Sequence, residues 1–393
     1  MKKNLTLRYT LQQTAYWAAY AGAMSFASAY LMAKGFSASV VGVLLAAGNL
    51  LSCAVQPLLA ARADRMGSQV VRRYIAGLSL FCMVCFLSLL KMPQGHWLFG
   101  LMYLAGLFAY DVMTPLNNAL CVTWREADYT INYGMARGVG SFAYSLAALA
   151  IGQAIAGWGE DWMIWIVAGL LLVNMLMALS FPPIKEKKQS AQVGKSCSIG
   201  VFFKRYKWYS VSLLGVILLA TFHMMAENYL IKILERLGGN SGHVGVALFV
   251  ATTIASVVLI FFDKIRGKLG DQRLLKLSGL FYVVKAVAFL LAPSIEAIYA
   301  AQLLQAVTYV FLSPTQMYYA SSRIAPQDMV KGQAFITAAY TLGCALGNFM
   351  GGQLVQAWGV AALLIAGVAI ALAGALIIFV TVDRKDRFML EAH

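Results

Sequence analysis

The chain has 393 residues, 61% of them hydrophobic and 12% charged, with a mean hydropathy of +0.71 and a formal net charge of +15. That much apolar surface argues against a soluble domain, and the excess of lysine and arginine has to be explained by where those residues fall.

The apolar residues resolve into twelve runs of about 20 residues, the length that crosses a bilayer as a helix. They are predicted at 9–32, 39–61, 72–91, 96–123, 132–157, 161–182, 207–231, 243–262, 274–293, 297–322, 332–356 and 360–382. Hydrocarbon offers the backbone no partner, so each run must satisfy itself as a helix. The runs are too long and too evenly apolar for barrel strands. Of the 31 lysines and arginines, only Lys34, Lys91, Lys232 and Arg236 fall in odd-numbered loops. That bias places both termini in the cytoplasm of a multi-pass plasma-membrane protein. The cluster Lys185, Lys187, Lys188, Lys195, Lys204, Arg205 and Lys207 is then a topology determinant with a secondary role toward anionic lipid, and nucleic acid is not an expected partner.

Along the chain, the first run lacks a cleavage signature and exceeds a signal-peptide core, so it reads as span 1. Its Tyr16, Trp17 and Tyr20 either line a polar interior or pack and anchor at the interface. Its Gln12 and Gln13 are placed near the cytoplasmic mouth. Cys82 and Cys85 in span 3 have the spacing of half a metal site but no second ligand pair, and read as small buried residues. Span 4 carries Asp111, Thr114 or Pro115, and Asn118 on one face. Span 5 carries Arg137 and, two helical turns on, Tyr144. Asn118 is expected near the depth of Arg137, with Asp111 about 10 Å further out. Span 7 carries His223 and Glu227 on one face with Asn228 beside them, span 9 carries Lys285, and span 10 carries Gln302 and Gln305 on one face. Gly134, Gly138, Gly140, Gly347, Gly351 and Gly352 read as positions where helices approach closely. His96, His243 and His393 belong to no metal constellation, and no cofactor is implied.

Charges at bilayer depth are costly and usually mark a solute or ion pathway. Asp111 and Arg137 in one half, and Glu227 and Lys285 in the other, predict a polar cavity between two helical bundles, the build of a transporter. The Lys- and Ser-rich stretch 183–206 divides the spans six and six and reads as a flexible linker. The predicted domains are therefore a six-helix bundle over 1–182, a cytoplasmic linker over 183–206, and a second six-helix bundle with a short cytoplasmic tail over 207–393. The halves echo each other: Gly152-Gln153 and Trp158-Gly159 recur two hundred positions on as Gly352-Gln353 and Trp358-Gly359. Asp64-Arg65-Met66-Gly67 after span 2 has its counterpart in Asp263-Lys264 and Lys268-Leu269-Gly270 after span 8. Such halves are parallel repeats related by an axis along the membrane normal.

With Arg72 and Arg73 behind it, the loop Ala61-Arg62-Ala63-Asp64-Arg65-Met66-Gly67 resembles the helix 2–3 signature of the major facilitator superfamily, departing from it at the first position, where the family has glycine. The resemblance covers essentially the whole chain and implies an all-α membrane fold of twelve helices in two six-helix bundles around a central cavity. It also implies that Asp64 and Arg65 are gating residues. Gly134-Met135-Ala136-Arg137, with Tyr144 seven positions on, is similar to helix 5 of the lactose permease group of oligosaccharide–proton symporters. That resemblance makes Arg137 a sugar contact and puts Tyr144 in the place of a stacking tryptophan. The family's helix 4 glutamate maps near Asn118, and its helix 9 arginine maps to Lys285. Its proton-relay positions map to Gln302, Gln305 and Thr308, none of which titrates usefully.

Coupling is therefore expected at Glu227, with His223 beside it and Asp111 as the second candidate. Alternatively, Asp111–Arg137 and Glu227–Lys285 are static ion pairs that orient helices. The expected substrate site comprises Arg137, Tyr144, Asn118, Asp111, Lys285 and Gln305. An arginine fork, an amide and an aromatic face together suit a polyhydroxylated ring. The expected function is proton-coupled alternating access for a small polar solute, a sugar or oligosaccharide, with the solute, protons and the bilayer as partners and a monomer sufficing. The alternative is an organic-anion or phosphate-ester carrier in which Arg137 and Lys285 clamp the charge. Drug efflux is disfavoured because residues 145–157 hold no proline. An enzyme is not expected, since neither a nucleophile–base set nor a nucleotide-binding loop is present.

Overall fold

The computed structural model describes residues 4–63, 68–184, 198–384 and 386; Asp64 and Arg65 lie outside the described residues. Among the described residues the chain is built of helices, and the one β feature is an isolated bridge between Asn4 and Thr130.

Among the described residues ten helices are long and apolar enough to cross a membrane; one of them holds two spans, and span 1, which is not among the ten, makes twelve. The run Pro326–Thr381 holds two, divided at Gly359, and span 1 is interrupted by a π-helical turn, Ala21–Ser25, between Thr6–Tyr20 and Ala27–Ala33. Spans 2 to 6 are Ala38–Ala63, Ser68–Leu89, Trp97–Glu126, Tyr133–Trp158 and Asp161–Leu179. Spans 7 to 9 are Lys207–Asn228, Ser241–Ile260 and Asp271–Leu291. Span 10 is Ile295–Gln302 and Tyr309–Arg323, joined through a 3-10 turn over Leu303–Ala306.

Three spans begin at side-chain caps. His96, Asn132 and Ser294 each accept a hydrogen bond from a backbone N–H of the first turn. The Trp-Gly echo is a repeated stop. Gly159 and Gly359 take φ of +99° and +77°, open to glycine at little cost, and end spans 5 and 11. Trp158 and Trp358 just before them are 71% and 72% exposed, as expected of rings at the headgroup level.

By packing, the chain divides into two units, residues 1–189 with 238–253, and residues 190–237 with 254–393. The first half of span 8 belongs with the first unit because spans 5 and 8 cross backbone to backbone. A Cβ on Gly152 would stand 2.7 Å from the Ser241 carbonyl, and one on Gly245 2.6 Å from the Ala148 carbonyl. In the second unit, span 7 is pressed against span 11 in the same way. Cβ atoms on Gly343 and Gly347 would stand 2.5 Å from the Ile217 carbonyl and 2.4 Å from the Thr221 carbonyl. Between helices in lipid such close approach supplies the dispersion energy that hydrophobic burial cannot. Gly140 and Gly351 are also in close contact, against Trp17 and Tyr229, whereas Gly138 faces open space and Gly134 meets only Asn132 Oδ1 at 3.8 Å, so neither is a point of close helix approach.

The linker is not wholly irregular. Residues 185–197 lie outside the description, but Ile199–Arg205 is a helix whose buried Phe202 packs on Tyr206, Tyr209 and Phe335. The apolar residues that close the polar stretch order it. The end of the chain is also tied down. The buried Asp386 carboxylate accepts the N–H groups of Trp208 (2.7 Å) and Tyr209 (3.2 Å), so it caps the start of span 7 from the opposite end of the chain. Burial pushes the Asp386 carboxyl up from its ordinary pKa, against the opposing pull of these two N–H groups.

Candidate solute and coupling sites

In the first unit the site is built around Arg137, one turn inside the Asn132 cap of span 5. Its guanidinium carbon lies 3.8 Å from the centre of the Trp17 ring, and it donates to the Ser141 hydroxyl at 2.9 Å. Arginine over indole is an electrostatic and stacking contact that holds the guanidinium flat. The indole is fixed in turn from beneath. Trp17 donates to Gln13 Oε1 (3.0 Å), Gln13 donates to Gln12 Oε1 (3.1 Å), and Gln12 donates to both Asn117 Oδ1 (2.6 Å) and Asn174 Oδ1 (3.1 Å). Asn174 donates to Ser79 at 2.8 Å. This amide chain ties spans 1, 3, 4 and 6 together in the interior, with the Asn117 amide nitrogen left without a partner.

Beside Arg137 stands a wall of rings. Trp17 and Tyr20 are 5.4 Å apart, Tyr20 and Tyr144 6.2 Å, and Tyr16 stacks on Tyr110 at 4.8 Å. Tyr144 shares a hydrogen bond of 2.8 Å with Ser25, a residue placed there by the π-helical turn of span 1. Such turns widen a helix locally and recur at functional sites.

One alternative, an Asp111–Arg137 ion pair, is corrected here. Among the described residues Asp111 does not pair with Arg137. It faces span 2, where its carbonyl accepts from Gln56 at 3.1 Å and Ser52 lies beside its carboxylate, while Arg137 leans on span 1. The buried amide of span 4 is Asn117, 2% exposed. Asn118 is exposed and accepts from the Tyr133 hydroxyl at 3.4 Å.

In the second unit Lys285, its side chain 1% exposed, donates to Glu227 Oε1 at 3.1 Å and to Gln305 Oε1 at 2.8 Å. Gln305 is presented by the 3-10 turn that breaks span 10. Below that turn the Thr308 carbonyl accepts from Ser278 at 2.8 Å, so spans 9 and 10 are tied at the break. His223 stacks on Tyr309 at 5.7 Å and meets Tyr282 edge-on at 6.3 Å. The end of span 7 is pinned to span 11, where Asn228 donates to the Asn348 side chain and Tyr229 to the Asn348 carbonyl.

Among the described residues no group of three His, Cys, Asp or Glu is placed to hold a metal ion, and Cys82 donates instead to the Gly106 carbonyl at 3.3 Å. Before the start of span 9, Arg266 bonds both oxygens of Asp271 (2.6 and 3.2 Å) and lies 3.7 Å from the centre of the Tyr318 ring. The Asp271 hydrogen bond is the first cause of an Arg266 pKa above its ordinary value. Trp17, Asn117, Asn174, Tyr282 and Tyr309 belong to these clusters but were not singled out as site residues by the sequence. Asn174 carried a usable signal: it is the single amide in the otherwise apolar span 6.

A multi-pass helical membrane protein with a polar cluster in each of two units is the build of a solute transporter. A family profile described as Major Facilitator Superfamily matches residues 10–329, and the chain belongs to that superfamily. Maltose permease from Geobacillus stearothermophilus is 24% identical over 382 residues, covering 91% of this chain and 90% of that protein. Uncharacterized transporter YwbF from Bacillus subtilis (strain 168) is 22% identical over 246 residues, 61% of this chain and 58% of that one. Among solved structures, a mutant of the nucleoside transporter NupG aligns with a TM-score of 0.84 at 14% identity, over 96% of this chain and all of that one. A bacterial homologue of the human lysosomal transporter Spinster, inward-facing and unoccupied, aligns at 0.72 and 14%, over 96% of each chain. At such identities these structures show the fold alone.

Proposed function

We propose that this transporter moves a sugar or oligosaccharide by proton-coupled alternating access across the cell membrane, with both termini in the cytoplasm. The observation that carries the reading is the Arg137 guanidinium held flat on Trp17 beside Tyr20 and Tyr144. Its remaining donors suit ring hydroxyls, and Tyr144 offers an apolar face for the ring itself. The full-length similarity to a maltose permease supports the same substrate class. Glu227 carries the coupled proton. While Lys285 holds its carboxylate the acid stays ionised, and when the ammonium turns to Gln305 alone the buried acid takes up a proton. Asp64 and Arg65 serve in the cytoplasmic gate.

One observation favours a second reading. The Arg137 guanidinium has no carboxylate partner among the described residues. A carboxylate or phosphate ester on the solute would then supply that partner. A thermal-shift series of purified protein against maltose, neutral monosaccharides, nucleosides and phosphate esters separates the two. Stabilisation by a neutral sugar, lost in Arg137→Ala, is the expected result. Stabilisation by anions alone overturns the sugar reading.

A further inference from the structure

Around the Glu227–Lys285 pair, four buried polar atoms take no hydrogen-bond partner from the protein. They are His223 Nδ1, the Tyr282 hydroxyl and both amide atoms of Gln302. These residues are 6%, 0% and 0% exposed. Gln302 lies beside Glu227 without a well-formed hydrogen bond to it. A buried polar group left without a partner is costly, so three such residues around one carboxylate are not a neutral accident of packing.

The arrangement is regular. Span 7 offers His223 one turn from Glu227, span 9 offers Tyr282 one turn from Lys285, and span 10 offers Gln302 one turn from Gln305. Each span therefore contributes one member of the ion network and one unpartnered group near it. A hydroxyl, an imidazole nitrogen and an amide give both donors and acceptors, the two to four partners that hold a buried water.

We propose that His223, Tyr282 and Gln302 hold water against Glu227, and that this water is the path by which a proton reaches and leaves the carboxylate. The inference rests on the reading of Glu227 as the proton carrier. The step balances as a relay: the held water takes a proton from the aqueous side and gives one to the carboxylate, so one water O–H bond forms as another breaks, an O–H bond forms on Glu227, and Lys285 keeps its own protons and its bond to Gln305. The reverse step returns the proton to water. The other titratable groups around the site are Tyr309 behind His223, Tyr340 against Tyr309, and Cys344 near Tyr282. His223, Tyr282 and Gln302 are positioning residues, since they act through the water they hold.

The test is infrared difference spectroscopy of the full-length protein in liposomes as pH is lowered, in ordinary water and in water labelled with oxygen-18. It needs no substrate. A carboxylic C=O band that is absent in Glu227→Gln is expected, together with a water O–H band that moves with the label. In Tyr282→Phe, which removes only the hydroxyl, the C=O band moves to higher wavenumber and the labelled water band is lost; Gln302→Leu, a second and independent variant, does the same. If Glu227→Gln keeps every C=O band of the wild type, Glu227 does not take up the proton and both readings fall. If the Glu227 band is present but neither Tyr282→Phe nor Gln302→Leu alters it or the water band, the carrier stands and the water site is wrong.

Discussion

The two units solve the problem of a buried cation in opposite ways. In the first, Arg137 is exposed enough to keep donors free and rests on an indole that an amide chain holds in place. In the second, Lys285 is sealed from solvent and held by a carboxylate and an amide oxygen. On the proposed function, the cation with spare donors binds the solute and the cation paired with an acid changes partners. The difference teaches that the same cost of placing charge in a membrane can be directed at binding or at switching.

Removing each cation should therefore have unlike consequences. Lys285→Ala leaves Glu227 buried without its partner and is expected to destabilise the protein by about 3–5 kcal/mol. Its unfolding temperature in detergent should fall steeply, and adding Glu227→Gln should recover most of the loss. Arg137→Ala forfeits a contact worth about 0.5–2 kcal/mol, so its unfolding temperature should barely change. A collapse of Arg137→Ala comparable to that of Lys285→Ala would break the contrast.

The support beneath Arg137 gives the next largest effect. Asn117→Ala strands one of the two Gln12 amide N–H groups, the other staying on Asn174, and is expected to cost about 1–3 kcal/mol. Asn118→Ala, one residue on, should stay within about 0.5 kcal/mol in thermal unfolding. The tail latch comes last, with Asp386→Ala expected to cost about 1 kcal/mol as the cap of span 7 is lost. Amide hydrogen exchange in the first turn of span 7 should rise in that variant while spans 1 to 6 stay unchanged.

Much of the fold was legible because hydrocarbon leaves the backbone few choices. Twelve apolar runs, the basic even-numbered loops and the Trp-Gly echo all follow from that one constraint, and the echo proved to mark positive-φ helix ends at Gly159 and Gly359. The four intramembrane charges were legible for the same reason, since each is costly where it stands. Their partners were not all legible. Helical spacing says which residues share a face but not which neighbouring helix that face meets. Asp111 therefore looked toward Arg137 in the sequence and toward Gln56 and Ser52 in the structure. The role of Trp17 was hidden because aromatic residues in span 1 fit packing, interface and site equally well. The 3-10 turn that presents Gln305 has no Pro or Gly within it to announce it.

The division of labour between the units is tested most directly by maltose transport into proteoliposomes, measured both as exchange at equal pH and as accumulation down an imposed proton gradient. The account predicts that Arg137→Ala loses both activities, because the solute is no longer held. It predicts that Glu227→Gln retains exchange and loses only accumulation, because the solute is still held and the proton is not. Exchange retained in Arg137→Ala, or accumulation retained in Glu227→Gln, would contradict it.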